Sequence, residues 1–325
     1  MEYRELGKSG IKISAIGLGT WQWGSREWGW GRLYGKQDVL DAFQKAMELG
    51  INFIDTAEVY GRGRSEQIIS EAIHGHREDV VVATKVWPWN LSYGRLVRAA
   101  ERSLHRLGVD VIDLYQVHWP NPLVPIRNTM KAMNKLARDG KIRTVGVSNF
   151  NLQKLKAAQE ALAPLELVSN QVRYNLLDRH IEEKLLPFAE TGKITIIAYS
   201  PLAQGLLTGR YTSSTKPSSL VQTINPGFSS RNLTRLIEVN GTLSEIASMH
   251  DRTPSQVALN WLTRKENVVA IPGVKKSEHV INDAGAVDWA LSNLEVERLE
   301  KVATEVRFDR LSAIPNLVRA LTPRR

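Results

Sequence analysis

Residues 52–61, which read Asn-Phe-Ile-Asp-Thr-Ala-Glu-Val-Tyr-Gly, are the stretch around which the rest of the chain is organised. The apolar run at 52–54 predicts a short strand, and the polar residues and glycines that come after it forbid further burial. Asp55 therefore comes at the carboxyl end of a strand, and Tyr60 lies in the loop that follows.

Two later segments repeat this arrangement of a strand that ends in a reactive side chain. Residues 80–84 form an apolar run that delivers Lys85, and residues 111–117 deliver His118. If these segments are successive parallel strands separated by helices, their carboxyl ends share one face, where parallel α/β folds place ligands. The sequence therefore predicts that a carboxylate, a phenol, an amine and an imidazole meet at one site.

Strand and helix patterns alternate along the whole chain. The predicted strands cover residues 15–19, 52–54, 80–84, 111–117, 141–147, 167–171, 194–199 and 268–271, with helical spacing between them. A hairpin at 3–6 and 11–14 is expected to lie across the bottom of the barrel that this order of strands and helices predicts. A Pro- and Arg-containing tail follows residue 303. The long stretch 203–232 has no clear period and is expected to be a mobile loop. This order predicts an α/β fold, a (β/α)8 TIM barrel formed by residues 1–325 as a single domain.

Local signals mark where several helices begin and end. We expect Ser92 to cap a helix at 93–107 and Gly108 to end it. Capping boxes at Thr253 and Ser292 predict the first turns of two later helices.

The composition of the 325 residues limits the classes of function. The chain has no cysteine, which excludes disulfides, thiolate metal sites and a cysteine nucleophile. Its start lacks the apolar core of a signal peptide and no apolar run approaches the length of a membrane span, so we expect a soluble, cytoplasmic protein. The net charge of +9 favours partners that carry phosphate. Because the basic residues are spread over the apparent helices, a nucleic-acid track is the weaker interpretation, and a phosphorylated small ligand accounts for the charge as well.

The four side chains at the strand ends have complementary acid–base properties. A tyrosine has an unperturbed pKa near ~10, so it acts as acid or base near neutrality only beside a cation, which Lys85 can supply. Asp55 would hold the ammonium group in place, and His118 would hydrogen-bond the same substrate oxygen. Each residue alone has a plain structural explanation, such as a turn cap or a packed ring. Their convergence predicts a site that protonates an oxygen atom and does not bind a metal.

Several segments together resemble one known family, the aldo-keto reductases. They are residues 16–20, 53–57 with 60–61, 84–85, 113–118 and 146–150. The resemblance covers nearly the whole chain and implies an NAD(P)H-dependent oxidoreductase built on the (β/α)8 barrel. It implies that Tyr60 donates the proton and that Lys85, with Asp55 as its partner, lowers the pKa of Tyr60. It also implies that His118 orients the carbonyl group of a small-molecule substrate.

The same resemblance implies how the cofactor is held, with NADP(H) as the expected dinucleotide and NAD(H) as the alternative. Ser148, Asn149 and Gln171 would contact the nicotinamide carboxamide, and Tyr199 would stack on the ring unless it only fills the barrel end. The segment 200–209 is similar to the part that lies along the cofactor pyrophosphate in bacterial members and in potassium-channel β-subunits. The implied cofactor contacts are completed by Thr20, Ser200, Leu202, Gln204, Gly205, Lys275, Lys276, His279 and Asp283.

The adenosine end departs from the family pattern. Lys275 and Lys276 follow the eighth predicted strand, where two ammonium groups would favour a 2′-phosphate over a ribose hydroxyl. Their plain alternative is a solvated pair at a helix start. His279 and Asp283 stand where many members have Gln or Arg and Asn, which leaves the strength of the preference for NADP open.

Tryptophans that follow barrel strands are the candidates for a substrate pocket, namely Trp21, Trp23, Trp87 and Trp119. They would form an apolar wall for aromatic or aliphatic carbonyls, although each one alone is equally well explained as a cover of the barrel mouth. The alternative function is a channel-β-like binding protein that senses cofactor occupancy with little turnover. A barrel hydrolase or isomerase would need a carboxylate base or a metal cluster, which the sequence does not offer.

Overall fold

A parallel barrel is the centre of the fold in the computed structural model, which describes residues 1–215, 217 and 219–309. The strands are β1 (Tyr3–Glu5), β2 (Lys12–Ser14), β3 (Leu18–Gly19), β4 (Phe53–Asp55), β5 (Val81–Val86), β6 (Ile112–Val117), β7 (Ile142–Ser148), β8 (Leu167–Arg173), β9 (Thr195–Tyr199) and β10 (Val268–Ile271). Eight of them form one sheet in the order β10-β9-β8-β7-β6-β5-β4-β3. Parallel bridges from Ile16 to Ala270 and from Gly19 to Gly273 join its two edges. The predicted TIM barrel is confirmed.

Helices surround the barrel. They are α1 (Lys36–Glu48), α2 (Arg64–Ala72), α3 (Tyr93–Leu107), α4 (Ile126–Arg138), α5 (Leu152–Leu162), α6 (Leu185–Thr191), α7 (Leu220–Ile224), α8 (Ser230–Arg235), α9 (Ile237–Met249), α10 (Pro254–Thr263), α11 (Ser277–Ala284) and α12 (Asn293–Thr304). Their apolar faces pack on the outer faces of the strands, which explains why whole strands such as β5 and β6 are buried. None of the helices in the described part of the chain is long and apolar enough to cross a membrane.

The hairpin of β1 and β2 closes one end of the barrel. Phe53 and Val269 belong to the cluster of side chains that fills the barrel interior, and both are fully buried. Leu6 and Ile13, from the hairpin, belong to the same cluster and are also fully buried. The predicted hairpin is confirmed, and because apolar packing seals this end, polar chemistry is concentrated at the other.

The helix ends follow the predicted capping patterns with one exception. Capping boxes open α10 at Thr253 and α12 at Ser292. Gly108 ends α3 with a φ of 64°, in the left-handed region that favours glycine. Ser92 is the N-cap residue of α3, but its side chain makes no capping hydrogen bond, so that detail of the prediction is wrong.

Residues 203–232, after β9, contain more regular structure than the sequence predicts. They include α7, the start of α8 and two short 3-10 turns. Leu206, Phe228, Leu233 and Leu236 pack together in a separate hydrophobic cluster. The expectation of an irregular loop is therefore corrected, because its apolar residues are spaced to pack on one another. Two residues of the Ser- and Thr-rich part, 216 and 218, and the tail from 310 to 325 lie outside the described residues.

Candidate active site

Asp55, Tyr60, Lys85 and His118 meet at the carboxyl end of the barrel. Parallel pairing of β4, β5 and β6 brings the ends of these strands to one edge. Lys85 Nζ lies 2.5 Å from Asp55 Oδ1 and 3.4 Å from the Tyr60 hydroxyl oxygen. The rings of Tyr60 and His118 lie 5.7 Å apart and nearly perpendicular, at 82°. The structure thus brings together the four residues that the sequence singled out.

A tight turn after β4 carries Tyr60 to this position. Residues Tyr60–Gly63 form a short 3-10 helix in which Gly61 has a φ of 55°. A side chain at position 61 would come within 2.9 Å of the carbonyl group of Gly24, so the turn packs backbone to backbone on the loop after β3. Glycine at 61 allows both the left-handed conformation and this close approach. Together they set the position of Tyr60 at the carboxyl end of the barrel.

The ion pair of Lys85 and Asp55 is buried, with side-chain exposures of 0% and 3%. Lys85 Nζ also donates to the Thr56 carbonyl oxygen at 2.7 Å. Burial by itself lowers the pKa of Lys85, but the nearby carboxylate and the hydrogen bonds outweigh it and raise that pKa above its ordinary value. Lys85 is therefore a stable cation beside the Tyr60 hydroxyl.

The Tyr60 hydroxyl keeps its proton in this environment. Burial raises the pKa of Tyr60, and the positive charge of Lys85 offsets the rise only in part. The charge of Lys85 acts in the direction that the resemblance implies and lowers the pKa of Tyr60, but the cost of burying a phenolate is larger, so the net pKa lies above its ordinary value. Tyr60 is protonated throughout the neutral range, as a proton donor must be.

His118 presents a neutral imidazole ring. Burial, and then repulsion from the Lys85 charge, lower the pKa of His118 to about 3. Its ring packs nearly perpendicular to that of Trp87, with centroids 5.4 Å apart. A neutral imidazole carries one N–H group, which can donate a hydrogen bond to a substrate oxygen. It does not carry the second ring proton and the positive charge of an imidazolium.

Two amide side chains hold the second oxygen of Asp55. Gln116 Nε2 and Gln171 Nε2 donate to Asp55 Oδ2 at 3.1 and 2.7 Å. The carboxylate is therefore fixed on one side by Lys85 and on the other by two amides. Gln171, a predicted contact of the nicotinamide, has its amide nitrogen engaged in this way, which leaves its amide oxygen for an N–H group of a ligand.

A chain of hydrogen bonds joins the other predicted nicotinamide contacts. Asn149 Nδ2 donates to Ser148 Oγ and to the His118 carbonyl oxygen, each at 3.0 Å. The Tyr199 hydroxyl donates to Asn149 Oδ1 at 3.0 Å. Asn149 adopts a φ of 61°, a left-handed conformation that asparagine tolerates better than most residues. These side chains form one connected group at the ends of β7 and β9.

A cavity of about 890 Å³ opens at this end of the barrel. Asp55, Tyr60 and His118 line it, and Lys85 lies buried behind them. Lys276 is exposed and is the one predicted cofactor contact outside the lining, which corrects its assignment. The predicted cofactor contacts in the described lining are Thr20, Ser148, Asn149, Gln171, Tyr199, Ser200, Leu202, Gln204, Gly205, Lys275, His279 and Asp283.

Tryptophan side chains form much of the apolar wall of the cavity. Trp23 is not among them, because its indole is fully buried and donates to the Val274 carbonyl oxygen at 3.0 Å. Its predicted role in the pocket is therefore wrong. Trp28 takes part although sequence reasoning missed it, and its only signal was membership of the tryptophan-rich stretch 21–30. The indoles that line the cavity are those of Trp21, Trp28, Trp87 and Trp119.

The part of the cavity beside α11 carries an unusual carboxyl group. Asp283 is 4% exposed, and burial raises its pKa to about 7. A hydrogen bond from Asn282 and the charge of Arg210 oppose that rise. His279 lines the same region, and burial lowers its pKa. Arg210, an exposed residue of the lining, was not predicted as a contact, because nothing in the local sequence distinguishes it from other surface arginines.

Unpaired polar atoms in the lining suit a ligand rich in polar groups. Gln22 Oε1, Trp28 Nε1 and His118 Nδ1 are buried without a hydrogen-bond partner among the described residues. A dinucleotide offers hydroxyls, phosphates and a carboxamide that can pair with such atoms, and the cavity volume is in the range of pockets that hold large ligands. Within the described ranges, no group of three or more His, Asp or Glu lies close enough together to hold a metal ion.

Comparison with known proteins agrees with this geometry. A family model described as the Aldo/keto reductase family matches residues 15–304. An oxidoreductase of Mycobacterium bovis, itself uncharacterized, is 42% identical over 308 residues, which cover 94% of each chain. The family match, together with the barrel, thus defines the class of the protein as a TIM-barrel oxidoreductase. The chain belongs to the aldo/keto reductase family.

Two further similarities bear on the cofactor and on the alternative function. An aldo-keto reductase from Klebsiella pneumoniae, solved in complex with NADPH, superposes with a TM-score of 0.77 at 31% identity and covers 95% of this chain and 99% of that one. A putative voltage-gated potassium channel subunit beta of Schizosaccharomyces pombe is 31% identical over 328 residues, covering 94% of this chain and 93% of that protein. The resemblance to bacterial members and to channel β-subunits is confirmed.

Proposed function

We propose that this protein reduces aldehydes or ketones to alcohols with NADPH, with Tyr60 as the general acid. The observation that carries the proposal is the position of the Tyr60 hydroxyl, 3.4 Å from the buried ammonium of Lys85 and on the wall of the large cavity. A protonated phenol next to a fixed cation is suited to give up its proton as negative charge develops on a carbonyl oxygen.

Each of the other residues has a distinct part in this proposal. Lys85 stabilises the phenolate that Tyr60 becomes after it donates its proton, and the carboxylate of Asp55 keeps Lys85 charged and in place. His118 orients the carbonyl oxygen through a hydrogen bond from its neutral ring. The bound cofactor supplies the hydride. The indoles of the cavity wall exclude water and favour aromatic or aliphatic substrates.

The cofactor assignment rests on the lining of the cavity and on the relative solved with NADPH. Ser148, Asn149 and the oxygen of Gln171 would hold the carboxamide, and Tyr199 would stack on the nicotinamide. Residues 200–205 would follow the pyrophosphate. At the α11 end of the cavity, Arg210 offers a positive charge to a 2′-phosphate. The buried carboxyl group of Asp283 opposes the binding of that phosphate only when the carboxyl group is ionised.

We propose that residues 1–325 form a single domain, because the described strands belong to one barrel and its closing hairpin. The absence of cysteine supports a reducing compartment, the cytoplasm.

The test is hydride transfer by the purified protein. Oxidation of NADPH is followed by its absorbance in the presence of benzaldehyde, propanal and a simple ketone, and the alcohol product is identified. Turnover with at least one of them supports the reductase. Tight binding of NADPH without turnover of any of them would favour the cofactor-sensing binding protein instead.

A further inference from the structure

We propose that Lys275 is a positioning residue that holds the loop after β3, and through it the indole wall of the substrate pocket, against Tyr60. The proposal rests on the function proposed above and assigns Lys275 a role in substrate selection in place of reading a 2′-phosphate. It is carried by an unbroken series of contacts from Lys275 through Trp28 and Trp21 to Tyr60.

The ammonium group of Lys275 is enclosed by the loop after β3. Its Nζ donates to the Trp28 carbonyl oxygen at 3.2 Å. It also lies over two aromatic rings, 5.3 Å from the centroid of Trp28 and 5.1 Å from that of Tyr34. Such contacts between a cation and ring faces are worth more when they are shielded from water. No carboxylate of the described residues forms an ion pair with Lys275, so the aromatic rings and the carbonyl are the partners of its ammonium group.

The next contacts lead from Trp28 to the reacting end of the cavity. The indoles of Trp28 and Trp21 meet edge to face, with centroids 5.1 Å apart and planes at 81°. Trp21 in turn stacks on Tyr60, with centroids 6.2 Å apart and planes at 29°. Trp28 is 4% exposed and Trp21 is 37% exposed, so the buried ring supports the more exposed one. A displacement of Trp28 would therefore remove the support of the ring that covers Tyr60.

The neighbouring lysine provides the contrast. Lys276 carries the same charge but is exposed and lies outside the cavity lining. If both lysines acted through their charge on a phosphate, removal of either would weaken NADPH binding selectively. If Lys275 acts through Trp28, its removal changes how the substrate is held and does so equally with NADPH and with NADH.

The experiment compares Lys275→Met, which keeps the length of the side chain without its charge, with Lys275→Arg, which keeps a cation for the rings. Lys276→Met is the matched control. We measure kcat and KM for benzaldehyde and propanal with each dinucleotide, and the dissociation constants of NADPH and NADH by calorimetry. Wild-type turnover, measured first, tests the proposed function separately from this one.

We expect Lys275→Met to lower kcat/KM for benzaldehyde by roughly 5- to 10-fold, the effect of one or two shielded cation–ring contacts. The factor should be the same with both dinucleotides, and propanal should be affected less because it touches fewer indoles. Lys275→Arg should remain within about 2-fold of wild type, and Lys276→Met should have no effect. In a Trp28→Leu background, the fold-loss in kcat/KM for benzaldehyde caused by Lys275→Met should be half or less of the loss in the wild-type background. The reason is that the two residues act through one contact.

Four results would overturn the proposal. Loss of affinity for NADPH alone would show that Lys275 reads the 2′-phosphate. Equal effects of Lys275→Met and Lys276→Met would show that only net charge matters. Full additivity of Lys275→Met and Trp28→Leu would show that Lys275 does not act through Trp28. Since Lys275→Arg retains the contacts, its failure to preserve selectivity would also count against the proposal if the variant melts at the wild-type temperature.

Discussion

Lys85 Nζ lies 2.5 Å from Asp55 Oδ1 in a pair that is almost wholly buried. A buried ion pair adds little net stability, yet the loss of one partner is costly because it leaves a charge without compensation. The pair is thus better explained by what it does to its neighbour than by what it contributes to folding. Its neighbour is the hydroxyl of Tyr60.

Replacement of Tyr60 by Phe should abolish reduction and leave cofactor binding largely intact. The proton of the phenol is needed only as charge develops on the carbonyl oxygen, and loss of a general acid costs about 10²–10⁴-fold in rate. The measurements are kcat with benzaldehyde and the dissociation constant of NADPH. Tyr93→Phe, at a tyrosine outside the cavity lining, is the control and should retain full activity. Near-normal turnover by Tyr60→Phe would rule out the assignment.

Removal of Lys85 should cost more stability than removal of the whole pair. In Lys85→Met the carboxylate of Asp55 is left buried beside an apolar group, a change worth about 3–5 kcal/mol. Lys85→Met with Asp55→Asn should recover part of that loss, because no unpaired charge remains. The free energy of unfolding in urea is measured for both. Lys45→Met, in an exposed pair with Glu48, should lie within ~1 kcal/mol of wild type. A double variant less stable than Lys85→Met would contradict the argument.

Asp283→Asn should stabilise the protein at neutral pH and not in acid. The ordinary pKa of Asp283 is 3.8 and burial raises it to about 7. Between these values the unfolded chain loses a proton that the folded chain keeps, so the wild type loses stability as pH rises from about 4 to 7 and the deficit is constant above that. A shift of about three pKa units corresponds to ~4 kcal/mol as an upper limit. Melting temperatures of both proteins from pH 4 to 8 test this; a gap that does not widen with pH would refute it.

The same carboxyl should make NADPH affinity depend on pH. As pH rises through about 7, ionisation of Asp283 places a negative charge at the end of the cavity that we assign to adenosine. NADPH, with its 2′-phosphate, should therefore bind more weakly at pH 8 than at pH 6, and NADH should change less. Dissociation constants for both dinucleotides at the two pH values give the result. Asp283→Asn is the control, and an undiminished pH effect in that variant would exclude Asp283 as its source.

Bound NADPH should protect the segment after β9 from proteolysis. Arg210 is exposed and lines the cavity together with Gly205 and Tyr211, so a ligand in the cavity lies against this segment. A segment closed over its ligand is cleaved more slowly and slows ligand release. Trypsin digestion with and without NADPH, followed by mass spectrometry, measures cleavage at Arg210. The Arg210→Gln variant removes the cleavage site, so the fragment that is missing from its digest is the one produced by cleavage at Arg210. Equal rates in both conditions would show that the segment does not close.

The sequence by itself determined the barrel and the meeting of the four candidate residues at its carboxyl end, because both depend on local signals. Alternation of apolar strands with helical spacing predicts parallel strands, and residues directly after such strands must meet at one edge. Asp55 is the last residue of β4, Lys85 lies one residue before the end of β5 and His118 follows β6, so all three lie at that edge. Gly108 and the capping box at Thr253 are read in the same local way.

Only the tertiary structure decided which side chains face the cavity and with which partners. Trp21 and Trp23 lie two residues apart in a loop, where no period predicts direction, and only the first lines the cavity. Lys275 has its aromatic partners in the loop after β3, where Trp28 lies 247 positions away in the sequence. The pKa of Tyr60 rises because the cost of burial exceeds the help of Lys85. Burial is a property of the packed chain, and it has no counterpart in the local order of residues.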